Sequence, residues 1–452
     1  MRKTTIAGGG CVLALLLVAA VAAYRVIGRG AAVTAPAPTT ATAPAARSAA
    51  QAPLATAADQ GFLYGRVTTV DGDTLEGRLR WGVHQEAFWS DYFNGVKRDN
   101  PWLAHVPPER LPRERHPVTI FGLELGSRES EINVRRQLMA RFGELARLQA
   151  HGREVRATLK NGTVYDLDRL DASDFDDGLR VWDGRRGVVD LGTLQIRAVE
   201  LLPTPALGAV PSRLHGTLQT KEGEFTGFVA WNRLELVDTD ELDGQTADGN
   251  PVSLRFATIR SIARRSRDSA TVTLRDGREV VVADSAEVGR RSSGVYVSDP
   301  RFGRLLISWG AFERVDFGPG SSGPAYGDFA PGRELTGSVT TRDGRRLAGR
   351  LVYDLDENES TDTLDAEAGA GGVHYTIPLD LIASVTPLAP EEDGPARARL
   401  TLHSGIELQL AGTSDVGEGH AGILVFLAGQ QRPEYVAWAE VDRVDFERPP
   451  PR

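Results

Sequence analysis

Three groups of acidic and amide side chains recur along the chain with one internal spacing. In each group the second residue follows the first by five positions and the third follows by three more. The groups are Glu86, Asp91 and Asn94; Glu235, Asp240 and Asp243; and Glu357, Asp362 and Asp365. Clustered carboxylate oxygens on a loop suit a hard cation such as calcium. The same side chains also accept hydrogen bonds from loop backbone N–H groups. The spacing therefore fits either a cation site or a structural loop.

The third group extends into a longer acidic pattern. Oxygen-bearing residues stand at the offsets of an EF-hand-type calcium loop, namely Asp354, Asp356, Asn358, Ser360, Asp362 and Asp365. However, Glu359 occupies the place where that loop needs glycine for its sharp turn, and Asp365 replaces the longer bidentate glutamate. The pattern favours a solvated acidic loop, and calcium is the one cofactor that the sequence suggests.

Aromatic residues crowd the stretch around the first group. Trp81 ends a predicted strand and has an aromatic counterpart in two later copies, so we expect it in the core. Trp89 and Trp102 have no such counterparts. They are our candidates for surface aromatics that bind a glycan or a partner protein by stacking and apolar burial, although strand-end aromatics more often fill a core.

Signatures of catalysis and of nucleic-acid binding are missing from the sequence. The eight histidines do not recur at one position, and no nucleophile elbow, phosphate-binding loop or aspartyl-protease motif is present. The formal net charge is -9, without a basic stripe, which argues against a polyanionic partner. We therefore predict a non-catalytic protein that does not bind nucleic acid; the alternative is a cation-dependent ligand binder or weak hydrolase that uses the acidic groups.

The elements that must position these groups are β-hairpins. Three similar stretches, 65–81, 216–231 and 337–353, each contain an alternating strand, an Asp-Gly or Glu-Gly turn and a second strand that ends on an aromatic residue. That is a hairpin pattern. Between the copies lies a second recurring unit, which begins at 158–162, 273–277 and 401–405 and continues into an acidic bend. Short segments with apolar residues three apart connect the two units, and we interpret each as a bend into a strand.

The alternation of these two units predicts an all-β chain of tandem small β-barrels or sandwiches. Three pairs of units would cover 60–203, 212–318 and 333–447. The first pair carries an insert at 97–141, whose last part, Glu129 to Arg141, is the best candidate for a helix or a long strand.

The hairpin unit, with its glycine and leucine before the closing aromatic, resembles the opening of Sm-like and SH3-like barrels. The resemblance covers about twenty residues per copy and concerns the fold. Sm-like proteins carry an Asp and an Asn soon after the second strand, in a loop that contacts RNA. Asp91 and Asn94 have a similar mutual spacing but lie well beyond Gly77. This departure and the acidic balance argue against RNA binding.

The N-terminal sixty residues predict export. A basic start precedes an apolar run, so 1–27 forms either a membrane anchor or a cleaved signal peptide. An Ala/Pro/Thr-rich linker follows at 28–59. Cys11 is the only cysteine, so the body contains no disulfide. We expect a scaffold or binding protein at the inner membrane with its body in the periplasm or outside, or a secreted protein if cleavage occurs. The expected partner is an envelope protein or a glycan.

Overall fold

The computed structural model of the chain describes residues 61–82, 84–110, 113–120, 123–131, 136–169, 172–207, 210–283, 285–319, 323–369, 371–389, 395–412 and 414–448. The predicted anchor at 1–27 and linker at 28–59 lie outside these residues. Within the described ranges, no helix has the length and apolar character needed to cross a membrane.

Antiparallel strands dominate the described chain, which confirms the all-β prediction. The first twelve strands are β1 Tyr64–Thr69, β2 Thr74–Trp81, β3 Tyr92–Lys97, β4 Arg113–Ile120, β5 Leu123–Glu131, β6 Arg136–Arg141, β7 Leu145–His151, β8 Glu154–Leu159, β9 Val164–Asp168, β10 Leu179–Asp183, β11 Gly187–Leu191 and β12 Ile196–Leu201. The next ten are β13 His215–Thr220, β14 Gly223–Ala230, β15 Glu241–Gln245, β16 Pro251–Arg255, β17 Ile259–Ser266, β18 Ser269–Leu274, β19 Glu279–Ala283, β20 Val295–Asp299, β21 Gly303–Ile307 and β22 Phe312–Phe317. The last ten are β23 Thr336–Thr341, β24 Arg346–Val352, β25 Thr363–Ala368, β26 Val373–Pro378, β27 Ile382–Pro387, β28 Arg397–Leu402, β29 Glu407–Ala411, β30 Ile423–Leu427, β31 Glu434–Val436 and β32 Val441–Phe446.

Helical structure in the described residues is limited to single turns. One α-helical turn spans Ser173–Asp176, and the 3-10 turns span Pro101–His105, Pro108–Arg110, Phe142–Glu144, Thr193–Gln195, Phe256–Thr258, Tyr326–Asp328, Leu379–Leu381 and Trp438–Glu440. Three of these turns lead directly into β7, β17 and β27. The predicted bend into a strand is therefore confirmed for all three connecting segments.

Thirty of the described strands fall into three sets of ten. Within each set, corresponding strands are hydrogen-bonded to one another in the same order. The first set runs β11-β10-β2-β1-β12-β7-β8-β9-β3-β6 and leaves out the separate hairpin β4–β5. The second runs β21-β20-β14-β13-β22-β17-β18-β19-β15-β16. The third runs β31-β30-β24-β23-β32-β27-β28-β29-β25-β26. The two predicted units of each pair thus share one sheet instead of forming separate domains.

The sheets are open. In the described residues, no ladder joins the two outer strands of a set. Of the two predicted forms, small barrels or sandwiches, the closed barrel is therefore wrong. Instead, β21 of the second set pairs with β26 of the third, with Leu305 opposite Tyr375, and this joins the two sets into one sheet of twenty strands. The first set has no strand pairing with the others among the described residues.

A recurring glycine brings the second strand of each hairpin close to its neighbour. A Cβ atom at Gly77 would lie 2.0 Å from the Trp182 carbonyl oxygen. A Cβ atom at Gly227 would lie 1.9 Å from the Ser298 carbonyl oxygen, and one at Gly349 would lie 2.1 Å from the Phe426 carbonyl oxygen. Only glycine fits where two backbones approach this closely. The glycine of the sequence pattern therefore sets the contact between β2 and β10, and its equivalents in the other sets.

The aromatic residue that closes each hairpin lies in the core. Trp81, Trp231 and Tyr353 are 0% exposed, which confirms the prediction for Trp81. The core of the first set forms one cluster of buried residues, whereas the second and third sets share another, as their shared sheet requires.

The insert in the first set differs from the prediction at its end. In the described residues of its last part, Glu129 to Arg141, the chain forms the end of β5 and the whole of β6 and is not helical. β6 is the partner that β3 requires, with Phe93 opposite Ala140. It occupies the same place as β16 and β26 in the other sets.

Candidate functional site: an acidic cavity between the first and third sets

The middle residue of each acidic group caps its own loop. One carboxylate oxygen of Asp91 accepts the backbone N–H groups of Glu86 and Ala87, at 2.8 and 2.9 Å. Asp240 Oδ2 accepts two N–H groups at 2.7 and 2.9 Å, and Asp362 Oδ2 accepts two at 2.8 and 2.9 Å. These three aspartates have the structural role that such residues ordinarily take in turns.

The first member of the first group, Glu86, does not occupy the place that Glu235 and Glu357 occupy in the other two groups. In the second and third sets the backbones of Glu235 and Glu357 pair with the closing aromatic residue, four positions earlier. In the first set the residue that pairs with Trp81 in this way is Gln85. The equivalence assigned to Glu86 was therefore wrong by one position, because the first loop contains one extra residue before Asp91. The fully buried side chain of Glu86 instead contacts Arg80, with its Oε2 atom 3.1 Å from Arg80 Nε.

The third member of each group is bound through its backbone to the acidic bend of the following unit. The Asn94 N–H donates to Asp174 Oδ2 at 2.7 Å and the Asp243 N–H donates to Glu287 Oε2 at 3.0 Å. The Asp365 N–H donates to Asp415 Oδ2 at 2.6 Å. Each set thus brings together a residue after the hairpin and an acid from the bend.

This shared arrangement carries different charges in the three sets. The first set combines the amide of Gln85 with Asp174, and Gln85 Nε2 lies 3.4 Å from Asp174 Oδ2. The second set combines Glu235 with Glu287, and the third combines Glu357 with Asp415. The second and third sets therefore each have two acids at the positions where the first set has an amide and an acid.

Burial raises the pKa of the acids in the second set. It raises the pKa of Glu235 to about 8, with a further contribution from the charge of Glu287, and that of Glu287 to about 7. A carboxyl group that leaves water without a cationic partner holds its proton more tightly.

The same effect operates in the third set. Burial raises the pKa of Asp415 to about 7, and it raises the pKa of Asp354 and of Glu357 well above the usual range, with neighbouring carboxylates adding to both. One carboxylate oxygen of Glu357, Oε2, is buried and has no hydrogen-bond partner within the described part of the chain.

A cavity of about 390 Å³ opens in front of these acids. Residues of the third set form most of its wall, and the first set closes the rest with Asn94, Gln137, Leu138 and Met139. Six acidic side chains line it: Asp354, Asp356, Glu357, Asp362, Asp365 and Asp415.

Two cations from the first set neutralise part of this charge. Lys97 Nζ lies 3.0 Å from Asp356 Oδ1 and 3.9 Å from Asp362 Oδ1, and Arg136 Nε lies 3.2 Å from Asp356 Oδ1. Lys97 and Arg136 are both buried. These contacts connect the first set to Asp356 and Asp362 of the third set.

The histidine next to Asp354 adds no positive charge. His420 is 2% exposed and stacks on Trp438, with ring centroids 4.1 Å apart. Its Nδ1 atom accepts the Gly422 N–H at 2.9 Å, so this nitrogen carries no proton. Burial lowers the pKa of His420 to about 3, and the 3.4 Å contact with Asp354 Oδ1 is therefore not an ion pair.

The EF-hand-like residues do not converge on one point. Asp356 contacts Lys97 and Arg136, and Asn358 Oδ1 accepts a hydrogen bond from Arg136 at 2.9 Å. Asp365 Oδ1 accepts a hydrogen bond from Thr376 at 2.6 Å. Across the part of the chain that the structure describes, no three acidic or histidine side chains are grouped in a way that could hold a metal ion. The residues of the EF-hand-like pattern thus make separate contacts and do not form one site.

The two candidate surface tryptophans are half-buried at contacts between segments. Trp89 lies 6.0 Å from Phe329, ring to ring, and borders a second cavity of about 420 Å³. Trp102 lies 6.1 Å from Phe426 of the third set, at an interplanar angle of 75°. Both pack the first set against segments later in the chain.

Sequence reasoning missed Gln85, the acids Glu287 and Asp415 as partners of the groups, and the cations Lys97 and Arg136. The constant distance of four residues from the closing aromatic is the signal that identifies Gln85. Comparisons with protein families, with curated proteins and with solved structures found no match for this chain.

Proposed function

We propose that this protein is a non-catalytic binding protein of the cell envelope, and that the acidic cavity takes up a positively charged ligand. In this proposal, the three sets are copies of one repeat over 60–203, 212–318 and 333–447. The segment at 1–27 anchors or exports the chain, and the linker at 28–59 separates the body from the membrane.

The observation that carries the proposal is the excess of acidic side chains over cations around the cavity. Lys97 and Arg136 offset two of the six acids, and His420 is neutral. A ligand that brings positive charge would let the remaining carboxylates ionise, because a nearby opposite charge favours the charged form. The volume of about 390 Å³ is in the range of small-molecule sites.

Isothermal titration calorimetry of the full-length protein at low ionic strength tests this proposal. We expect a saturable heat with calcium chloride or with 1,4-diaminobutane, and weaker binding as salt is added. An Asp415→Asn variant should bind at least tenfold more weakly. The matched Glu287→Gln variant, which alters the same position in the second set, should bind as the wild type does. No saturable heat with either cation would refute the proposal.

A further inference from the structure

This inference rests on the proposed cation-binding cavity and concerns the chemical class of its ligand. The first set shows the same position with amide side chains in place of one acid of the pair. There, Asp174 Oδ2 receives the backbone N–H of Asn94 at 2.7 Å and its side-chain amide at 2.8 Å. The side-chain amide of Gln85 approaches the same oxygen at 3.4 Å. Side-chain amide donors of the chain itself thus satisfy this carboxylate.

The third set lacks these side-chain amides, although Ser414 makes a side-chain hydrogen bond to Asp415. Asp415 Oδ2 keeps the backbone N–H of Asp365. However, Asp365 and Glu357 stand where the first set has the amides of Asn94 and Gln85, and a carboxyl group has no N–H to donate and keeps an O–H donor only while it is protonated. The buried Oε2 atom of Glu357 lacks a hydrogen-bond partner in the described residues, and a buried polar atom without a partner costs free energy.

We infer that the ligand of the acidic cavity is an organic cation with N–H groups, such as a primary ammonium of an aliphatic amine. Its N–H groups take the place of the two side-chain amides of the first set and donate to Asp415 and Glu357. An ammonium group provides three donors and one positive charge, so it supplies both the hydrogen bonds and the charge that the third set lacks.

Two further features favour an amine over a bare metal ion. A metal ion needs several ligand atoms about 2.0–2.6 Å from one point, and the acidic and histidine side chains in the described ranges form no such group of three. In addition, Leu138 and Met139 of the first set line the same cavity. Their apolar surface can pack against the methylene groups of an aliphatic amine.

Two probes of equal charge separate hydrogen bonding from charge. Calorimetry of the full-length protein would compare 1,4-diaminobutane with its fully N-methylated analogue, a dication without N–H groups, and with calcium chloride. We expect saturable binding of the diamine and at least tenfold weaker binding of both others. Equal affinity for the two dications, or tighter binding of calcium, would overturn this inference while leaving the cation proposal intact. If none of the three binds, both fail.

A paired substitution tests the structural comparison directly. The variant Glu357→Gln/Asp365→Asn installs the amides of the first set, which should then donate to Asp415 and reduce diamine affinity at least tenfold. The control Glu235→Gln/Asp243→Asn makes the same change in the second set and should leave affinity unchanged. Thermal melting shows whether each variant is folded; if the pair is unfolded, Glu357→Gln alone should still weaken binding at least threefold. Wild-type affinity in a folded variant of the third set would overturn the inference, and an equal loss in the control would do the same.

Discussion

Replacing Glu235 by glutamine should stabilise the protein at alkaline pH and have little effect near pH 5. The folded protein holds the Glu235 proton up to a pH of about 8, whereas an unperturbed glutamate releases it near 4.5. Because folding raises the pKa of Glu235, the contribution of this group to stability is complete below about pH 4.5 and is lost as the pH rises towards 8. Glutamine cannot ionise, so the variant avoids this loss.

The expected magnitude follows from the interval over which the proton is retained. Each pKa unit corresponds to about 1.36 kcal/mol. Retention of the proton over the roughly three pH units from pH 5 to pH 8 therefore limits the gain in the free energy of unfolding to about 4 kcal/mol. Glu235 keeps some contact with water, and we expect a gain of about 2–4 kcal/mol at pH 8. Gln85 shows that the fold accepts an amide at the equivalent position, where its own amide approaches Asp174.

Urea denaturation at several pH values between 5 and 9 measures this gain. The matched reverse variant is Gln85→Glu, which places a second acid beside Asp174 and should lose stability as the pH rises. The reasoning is refuted if the difference between Glu235→Gln and the wild type does not grow with pH, or if Gln85→Glu is equally stable at pH 5 and 8.

Three other perturbations test separate parts of the structure. Asp240→Ala removes the acceptor of two backbone N–H groups and should cost about 1–3 kcal/mol in urea denaturation; Asp240→Asn, which keeps an acceptor oxygen, should cost less, and equal losses would contradict the capping role. Lys97→Ala leaves the buried Asp356 with one cation fewer and should cost about 3–5 kcal/mol, whereas an unchanged midpoint would show that this contact does not hold the sets together. His420 should stay neutral down to about pH 4, because burial lowers its pKa to about 3; imidazole nitrogen chemical shifts that titrate near pH 6.5 would contradict its buried placement.

The local pattern of the chain predicts its hairpins because short-range rules govern them. The turn glycines, the alternation and the closing aromatics Trp81, Trp231 and Tyr353 are all near in sequence, and the structure places them as expected. The capping role of Asp91 was also accessible, since an aspartate in a loop ordinarily accepts nearby backbone N–H groups.

The cavity depends on contacts that no local rule reveals. Lys97 and Asp356 are 259 positions apart, and neither lies in a pattern that points to the other. The single sheet formed by the second and third sets depends on pairing between them, such as Leu305 opposite Tyr375. Sequence reasoning also missed Gln85. The first loop has one extra residue before Asp91, so Glu86, not Gln85, has the five-residue spacing to Asp91 that the other groups share.

The pairing of β21 with β26 has a mechanical consequence. It makes the second and third sets one continuous sheet with a common core, while the first set is attached to them through side chains among the described residues. A chain pulled at its two ends should therefore extend in two unequal steps. The first set should separate and unravel at lower force, and the twenty-stranded sheet should yield later as one cooperative unit. A force applied through the N-terminal segment would act first on the contact between the first set and the twenty-stranded sheet. The cavity between the first and third sets would therefore open before either sheet unfolded.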